Sequence, residues 1–314
     1  MKRIVIAGGS GFLGRVLARH FASRECAVVI LARSPSPVAN GVRERQWNGQ
    51  TFGDWTRELE GADVLINLAG RSVNCRYHVR NRRAILDSRV QATRVLGEAI
   101  AQCAQPPRVW LNSSTATIYK HSLDRPMDEA TGEIGATREA KDAFSVEVAC
   151  AWEHALEEAN TPATRKVALR TAMVLGQGRN SVLPVLRRLV KFGLGGKMGS
   201  GRQYVSWIHE DDFCRAAEWL IGRGDLCGPV NLAAPNPIPN REMMVTLRKV
   251  CGVPFGLPAT GWMLEAGAFL LRTETELIIK SRRVTPGRLI ASGFEFRFPK
   301  LEDALRDLER RIAR

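Results

Sequence analysis

The sequence predicts an α/β protein in which helices cover both faces of a doubly wound, mainly parallel sheet. Short continuous apolar segments such as residues 2–7 and 62–70 are typical of strands that are buried on both faces. Segments with apolar residues at helical spacing follow them, so that strands and helices alternate five times in the first 175 residues. This alternation is typical of parallel sheets built from strand–helix–strand units.

The elements follow in chain order. The predicted strands of the first part cover residues 2–7, 27–33, 62–70, 108–114 and 166–175, with a short strand near Arg45 in the loop 34–50. The predicted helices begin after residue 14 and continue over 54–60, 78–104 and 139–159. Further along, we expect strands at 204–209 and 229–235, and helices at 210–223, 240–252, 262–271 and from about 300. Residues 192–201 carry five glycines and are expected to be irregular.

The length of 314 residues exceeds that of an average domain, which predicts two lobes. We assign residues 1–235 to a dinucleotide-binding domain, with a glycine-rich insertion at about 176–203. Residues 236–314 then form a small domain on the substrate side.

Bulk composition narrows the class of protein. The formal net charge of +14 would suit anionic ligands, nucleic acid or anionic membranes. The basic residues are scattered, with no run of five like charges, so a nucleic-acid-binding tail is not expected. Duplex binding through the general basic surface remains a weaker alternative, which would show a steep salt dependence.

Seven cysteines occur without any Cys-x-x-Cys pair, which favours reduced thiols and no metal site. The apolar stretch near the first residue is shorter than the core of a signal peptide, about 7 to 15 residues. No apolar segment is long enough to span a bilayer. We therefore expect a soluble, cytoplasmic protein without a membrane partner.

A glycine motif lies where the first strand meets the first helix. Gly8, Gly11 and Gly14 have the spacing Gly-x-x-Gly-x-x-Gly. In this context the first glycine permits a tight turn, the second admits a pyrophosphate, and the third lets the helix pack on the strand. The amides and partial positive charge of the helix start favour phosphate. The motif predicts a Rossmann cofactor site formed by Gly8, Gly9, Ser10, Gly11, Phe12, Leu13 and Gly14.

The end of the second strand indicates which dinucleotide binds. NAD sites usually place an acidic residue there for the ribose hydroxyl, whereas arginine suits the 2′-phosphate of NADP. This chain has Arg33 and Ser34 and no acid, which favours NADP(H). Leu68, Ala69 and Gly70 end another core strand and should border the cofactor crevice.

Several segments together resemble the extended side of the short-chain dehydrogenase/reductase superfamily, in its epimerase family branch of nucleoside-diphosphate-sugar epimerase-like proteins. They are Asn112–Tyr119 (NSSTATIY), Leu169-Arg170-Thr171, Gly199-Ser200-Gly201, Trp207-Ile208-His209, Pro235-x-Pro237-x-x-Asn240 and Gly293-Phe294-x-Phe296. The resemblance implies that Ser113 and Ser114 lie beside the cofactor. It also implies that the Thr115 hydroxyl binds the substrate oxygen.

The superfamily's Tyr-x-x-x-Lys pair is absent. Four residues after Tyr77, Tyr119 and Tyr204 stand Asn81, Leu123 and Ile208. Aligning the family helix on Glu153 places Ser145 and Ala149 where tyrosine and lysine belong. Thr115 and Tyr119, which is next to Lys120, are the candidate catalytic residues. The alternative is that Tyr119 packs the wall of the crevice.

Two other groups have a structural and a functional interpretation. His209 with Asp211 and Asp212 is better explained as a core histidine before an acidic helix start than as an acid–base group. Basic residues around the glycine-rich segment either hold a substrate phosphate or face solvent; they are Arg187, Arg188, Lys197 and Arg202.

The leading functional hypothesis is an NADP(H)-dependent oxidoreductase or epimerase. Its small-molecule substrate would carry a hydroxyl or carbonyl group, as in a nucleotide sugar or another phosphorylated metabolite. The alternative is a non-catalytic NADP(H) sensor. The sequence makes no prediction of the oligomeric state or of the direction of the reaction.

Overall fold

The computed structural model describes residues 1–35, 41–178, 180–270 and 274–312, without the side chains of 266–270. The strands are β1 (Arg3–Ala7), β2 (Ala27–Ala32), β3 (Val42–Gln46), β4 (Val64–Asn67), β5 (Val109–Thr115), β6 (Arg165–Thr171), β7 (Met173–Leu175), β8 (Tyr204–Val205), β9 (Trp207–His209), β10 (Gly228–Leu232) and β11 (Ile238–Pro239). The helices are α1 (Phe12–Ala22), α2 (Val79–Ala101), α3 (Ala143–Glu157), α4 (Leu183–Lys191), α5 (Glu210–Gly222), α6 (Asn240–Cys251), α7 (Gly261–Leu270), α8 (Glu276–Ile279), α9 (Gly287–Ala291) and α10 (Leu301–Ile312).

Among the described residues, seven strands form one parallel sheet in the order β10-β6-β5-β4-β1-β2-β3. The fold class predicted from the sequence is confirmed. The strand order reverses at β1, since β2 and β3 extend to one side and β4 and β5 to the other. Ligands of open α/β sheets bind at the carboxyl ends of the strands at such a reversal.

Each face of the sheet has its own apolar core, because alternate residues of a strand point to opposite faces. Ile4 and Ile6 of β1 pack in a cluster with residues of α1 and α5. Val5 and Ala7 pack in a second cluster with residues of α2. This explains why β1 is apolar at every position after Arg3. The turn between β1 and α1 is thereby held between two packed layers.

A third core lies under the C-terminal elements, where residues of β9, α4, α6 and α10 pack together. The predicted strand 166–175 divides after Thr171: β6 stays in the large sheet, whereas β7 pairs with β9. The predicted strand 204–209 divides in the same way, since β8 pairs with β11. Helix α4 was not predicted; it begins with proline in its first turn, where no amide donor is needed.

Other boundaries differ by a few residues. The predicted helix 54–60 is a short 3₁₀ helix over Asp54–Glu58. The short strand predicted near Arg45 is confirmed as β3, although residues 36–40 of the predicted loop 34–50 lie outside the described residues. The predicted helix 262–271 corresponds to α7, and residue 271 also lies outside. The division into domains at residue 235 stays a prediction.

Replacing Gly14 by alanine should destabilise the fold. A Cβ there would lie 2.3 Å from the Gly9 Cα, so α1 and the turn must separate. We expect the free energy of unfolding to fall by about 1–3 kcal/mol, as for an overpacked core. Urea denaturation measures this change. In the control Gly222→Ala, at the end of α5, the new Cβ has no atom within 4 Å, so stability should be unchanged or higher. Equal stability of the two variants would contradict this account of the turn.

Candidate functional site

The carboxyl ends of four neighbouring strands bring the predicted cofactor residues together. In the order β5-β4-β1-β2, these ends carry Ser113–Thr115, Leu68–Gly70, the turn Gly8–Gly14, and Arg33 with Ser34. The sequence placed these residues on separate segments. The parallel sheet aligns them along one edge, as a dinucleotide site requires.

The glycine turn is closely packed at its first and last glycines. Gly8 has a φ of 71°, which favours glycine, and its amide donates to the Leu31 carbonyl over 3.0 Å. A Cβ on Gly8 would lie 2.8 Å from the Ala69 Cα. The turn therefore contacts the segment after β4 through backbone alone.

The middle glycine leaves space. A Cβ on Gly11 would meet one atom within 4 Å, the Gly8 carbonyl oxygen at 3.8 Å. Gly11 is also the N-cap of α1, with no side-chain cap and no acidic residue in the first turn. An uncapped helix start beside open space suits a pyrophosphate, because free amides and the helix dipole both attract anions.

Arg33 and Ser34 are exposed directly after β2. None of the ion pairs among the described residues includes Arg33, so its guanidinium has no carboxylate partner within that part of the chain. No acidic side chain lies between Ala32 and Pro35. The local charge is thus positive at the position that distinguishes the two dinucleotides.

A buried amide network holds the segment after β4. The Asn67 Nδ2 donates to the Asn112 Oδ1 over 2.7 Å and to the Thr93 Oγ1 over 3.2 Å. The Asn67 Oδ1 accepts from the Ala69 amide over 3.0 Å. Because Asn67 is fully buried, these bonds fix the path of Leu68–Gly70 along the crevice.

Ser113 and Thr115 are half-buried at the end of β5, while Ser114 faces inward. The Ser114 hydroxyl donates to the Glu153 Oε1 over 2.5 Å. The Thr115 Oγ1 accepts from the Thr117 amide over 3.1 Å. Ser113 and Thr115 are therefore the side chains of this segment that remain available to a ligand, and the hydroxyl of Ser114 has a structural partner.

Tyr119 belongs to a buried network centred on Arg170. Arg170 makes two hydrogen bonds to the Glu153 carboxylate, and its Nη1 donates to the Tyr119 hydroxyl over 2.9 Å. The Tyr119 hydroxyl donates in turn to the Asn231 Oδ1 over 3.0 Å. Burial alone would lower the pKa of Arg170, but the Glu153 bonds raise it above its ordinary value. Burial raises the pKa of Tyr119.

This placement favours the packing alternative for Tyr119. Its side chain is 1% exposed, and its hydroxyl already donates one hydrogen bond and accepts another. Lys120, the cation next to it in sequence, pairs with Glu133 over 2.8 Å instead. Tyr119 thus links the segment after β5 to β6 and β10 in the core.

Ser145 and Ala149 lie on α3, at the positions to which the family helix aligns the missing pair. The Ser145 hydroxyl donates to the Glu276 carboxylate. Ala149 is fully buried in a cluster with Tyr119 and Val284. Glu276 belongs to the C-terminal part of the chain, so that part contacts α3.

Sequence reasoning missed a group of side chains that surrounds Ser145. Burial raises the pKa of Tyr77 to about 12 with help from the Glu276 charge, and lowers the pKa of Arg89 to about 10. Lys280 and Asp142 form a fully buried ion pair, and the Lys280 Nζ donates to the Thr117 carbonyl over 2.6 Å. Arg282 donates to the Thr117 Oγ1 over 3.0 Å. These long-range contacts carry no motif, which is why sequence spacing did not reveal them.

A cavity of about 410 Å³ opens beside this group. Its wall consists of Arg76, Tyr77, His78, Arg82, Lys141, Phe144, Glu274, Thr275 and Glu276. Glu274 is engaged through both oxygens, since its Oε1 accepts from the Tyr77 amide over 2.6 Å and its Oε2 pairs with Arg76 over 3.6 Å. Basic groups outnumber carboxylates in this wall, so the cavity favours an anionic ligand.

His209 and one of the four basic residues around the glycine-rich segment, Arg187, have structural contacts. His209 is fully buried against Phe298, and its Nδ1 accepts from the Asp211 amide at the start of α5 over 3.0 Å. This agrees with the interpretation of a core histidine. Arg187 pairs with the Glu309 carboxylate over 2.6 Å, so it is not free to hold a phosphate.

Two features are absent from the described residues, a membrane-spanning helix and a group of metal ligands. No helix there combines the length and the apolar character that crossing a membrane requires. No group of three or more potential metal ligands was found among the same residues.

The sheet order, the glycine turn and the segment after β5 define a Rossmann protein of the epimerase type. The chain belongs to the NAD dependent epimerase/dehydratase family, whose profile matches residues 4–233. A second profile, for a domain of unknown function (DUF1731), matches residues 259–308. The resemblance to the epimerase family branch is confirmed.

Individual relatives are similar to this chain in sequence or structure over nearly its whole length. The epimerase family protein YfhF of Bacillus subtilis is 31% identical, over 97% of both chains. The structure of the human epimerase family protein SDR39U1 with NADPH has a TM-score of 0.83 and 26% identity, covering 98% of this chain and 99% of that one. MoeE5 in complex with UDP-glucuronic acid and NAD shares the fold, with a TM-score of 0.76 at 20% identity and 99% coverage of both chains.

Replacing Tyr119 by phenylalanine should destabilise the protein. The change removes the bond to Asn231 and leaves the buried Nη1 of Arg170 without its acceptor. We expect the free energy of unfolding to fall by about 1–3 kcal/mol. Chemical denaturation measures this, with Tyr204→Phe as the control, because Tyr204 contacts Arg283 through its ring. A Tyr119→Phe variant as stable as the wild type would argue against the network.

Proposed function

We propose that this protein is an NADP(H)-dependent oxidoreductase or epimerase-like enzyme that acts on a carbonyl or hydroxyl group of a small anionic compound. The observation that carries the proposal is the glycine turn. It is packed at Gly8 and Gly14, open over Gly11, and joined along the same edge by Arg33. The human relative crystallised with NADPH supports the choice of cofactor.

The residues present fit the dinucleotide. The turn Gly8–Gly14 would hold the pyrophosphate, with Ser10 and the amides of Phe12 and Leu13 at the start of α1. Arg33 and Ser34 would hold the 2′-phosphate. Leu68–Gly70 and Ser113 would border the rest of the cofactor, with Ser114 supporting that wall through Glu153. The bound nicotinamide would supply or accept a hydride.

The remaining residues would bind and orient the substrate. Thr115, half-buried at the end of β5, would hydrogen-bond the reacting oxygen. The basic wall of the 410 Å³ cavity would hold an anionic substituent, such as the phosphate of a phosphorylated metabolite or a nucleotide sugar. Arg76 and His78 come from the segment between β4 and α2, Arg82 lies near the start of α2, and Lys141 precedes α3.

A sensor that binds NADP(H) without turnover is the second candidate. Ser145 and Ala149 favour it, because neither can replace a tyrosine and a lysine directly. The discriminating experiment is NADPH oxidation in the presence of a panel of aldehydes, ketones and phosphorylated sugars. Oxidation that depends on one of these compounds supports the enzyme. Binding of NADPH without oxidation across the panel supports the sensor.

Replacing Arg33 by aspartate should weaken NADPH binding and reduce the preference for NADPH over NADH. Loss of one charge-assisted bond, about 1.5–3 kcal/mol, predicts about a tenfold or greater fall in NADPH affinity. Calorimetric titration of both cofactors measures it. Arg108→Asp makes the same charge change at the amino end of β5, at the end of the strands opposite the proposed cofactor site. It should leave the selectivity between NADPH and NADH unchanged. If both variants keep the wild-type selectivity, Arg33 does not read the 2′-phosphate.

A further inference from the structure

The Tyr77 phenol is buried beside Ser145 and lacks a well-formed hydrogen bond among the described residues. Its hydroxyl oxygen is buried and accepts or donates no hydrogen bond that meets ordinary geometric criteria among the described residues. A buried unsatisfied hydroxyl costs about 1–3 kcal/mol, so such groups need a functional or structural reason. Tyr119 differs in this respect, because its hydroxyl has two partners.

The position of Tyr77 is well fixed. Its amide donates to the Glu274 Oε1 over 2.6 Å, and its ring packs edge-on against Phe144 with ring centres 5.1 Å apart. Arg82 donates to its carbonyl over 2.8 Å. The ring also forms part of the wall of the 410 Å³ cavity. The loop after β4 therefore holds the phenol ring in the wall of this cavity.

Polar and charged side chains lie near the Tyr77 hydroxyl. Ser145, Glu276 and Arg89 are all close enough to influence its ionisation. Arg89 reaches this place from α2: its Nη1 donates to the carbonyls of Arg71 and Ile85, each over 3.0 Å. A Cβ on Gly70 would lie 3.1 Å from the Arg89 Cζ, so the guanidinium also borders the segment Leu68–Gly70.

We propose that Tyr77 is the proton donor of this site, with Arg89 as the neighbouring cation that stabilises its phenolate. The inference rests on the proposed NADP(H)-dependent function. Together the two residues, from the loop after β4 and from α2, supply the tyrosine and the cation that α3 lacks. The substrate oxygen would provide the well-formed hydrogen bond that the phenol lacks among the described residues.

The proposed step balances in the direction of reduction. The substrate carbonyl carbon accepts the hydride that reduced nicotinamide supplies, so the substrate is reduced by two electrons and the cofactor is oxidised. The Tyr77 O–H bond breaks while an O–H bond forms on the substrate oxygen. Water entering the cavity then returns a proton to the phenolate. Since the hydroxyl is covered in this structure, a neighbouring side chain must move when the substrate binds, as is common before a productive complex forms.

The charges around Tyr77 agree with this direction. Burial first, and then the Glu276 carboxylate, raise the pKa of Tyr77 to about 12, while Arg89 and the Ser145 hydroxyl lower it. Cys75 also lies near the Tyr77 hydroxyl, and Arg282 interacts electrostatically with Tyr77. The phenol thus keeps its proton at neutral pH and is ready to donate it.

The first test follows Tyr77 without any substrate. The chain has three tyrosines, so protein labelled with meta-fluorotyrosine should give three fluorine NMR resonances. The signal missing from Tyr77→Phe identifies Tyr77. We expect this signal to move differently with NADP⁺ and with NADPH, because the two differ in the charge of the nicotinamide ring, and we expect the Tyr204 signal to stay. The signals missing from Tyr119→Phe and Tyr204→Phe leave the third as that of Tyr77, so the assignment does not depend on the folding of Tyr77→Phe. A Tyr77 signal that responds identically to both cofactors would overturn the proposal.

The second test is kinetic, with phenanthrenequinone and glyceraldehyde 3-phosphate as carbonyl probes. Tyr77→Phe should lower kcat by about 100-fold or more, with KM and the NADPH affinity unchanged, as for loss of a general acid. Its Tm should stay close to that of the wild type, because the Tyr77 hydroxyl makes no well-formed hydrogen bond among the described residues. Tyr204→Phe is the matched control and should keep full activity. Wild-type turnover that survives in Tyr77→Phe refutes the role of Tyr77 alone. A wild type that binds NADPH but reduces neither these probes nor the panel of carbonyl compounds refutes the proposed function and the donor role together.

Discussion

The close contact between the glycine turn and the two strands beside it is the constraint on which the rest of the site depends. Gly14 must approach Gly9, and Gly8 must approach Ala69, at distances that leave no space for a Cβ. These contacts seat the start of α1 over the carboxyl end of β1, where the strand order reverses. The start of α1, which has no side-chain cap, then lies at the same edge of the sheet as Arg33, Gly70 and Thr115.

Two buried polar networks keep that edge in shape. Asn67 ties β4 to β5 through Asn112 and sets the path of the segment before Gly70. Arg170 joins β6 to α3 through Glu153. Because each member is buried and hydrogen-bonded, loss of one partner would leave another unsatisfied, which makes such networks specific as well as stabilising. Hydrogen bonds therefore hold this edge in place, whereas Tyr77, the proposed acid, lies on a loop, and its hydroxyl has no well-formed hydrogen bond among the described residues.

The sequence was sufficient for the parts of the protein that follow local rules. Apolar strands, helical periodicity and the spacing of Gly8, Gly11 and Gly14 predicted the sheet and the turn. The predicted strand boundaries differ from the observed ones where pairing with distant strands decides them. One example is Thr171, after which the chain leaves the large sheet and β7 pairs with β9.

The candidate site was predictable on its cofactor side and much less so on its substrate side. Arg33 and Gly70 follow strands, so strand order alone places them. Tyr77 and Glu276 are far apart in sequence and meet through the C-terminal part of the chain. The neighbouring Lys120 makes Tyr119 a candidate acid in the sequence. In the structure, the hydrogen bond from Arg170 holds the Tyr119 side chain in the core.

Calorimetric titration of NADPH into the wild type and Gly11→Ala tests the central claim, that the glycine turn binds the dinucleotide. The added methyl group would have its nearest neighbour at 3.8 Å, so the variant should unfold at the wild-type temperature. We predict that the wild type binds NADPH and that Gly11→Ala, although folded, binds it much more weakly, because the methyl group occupies the space for the pyrophosphate. A wild type that fails to bind NADPH, or a Gly11→Ala variant that binds it equally well, would contradict the account.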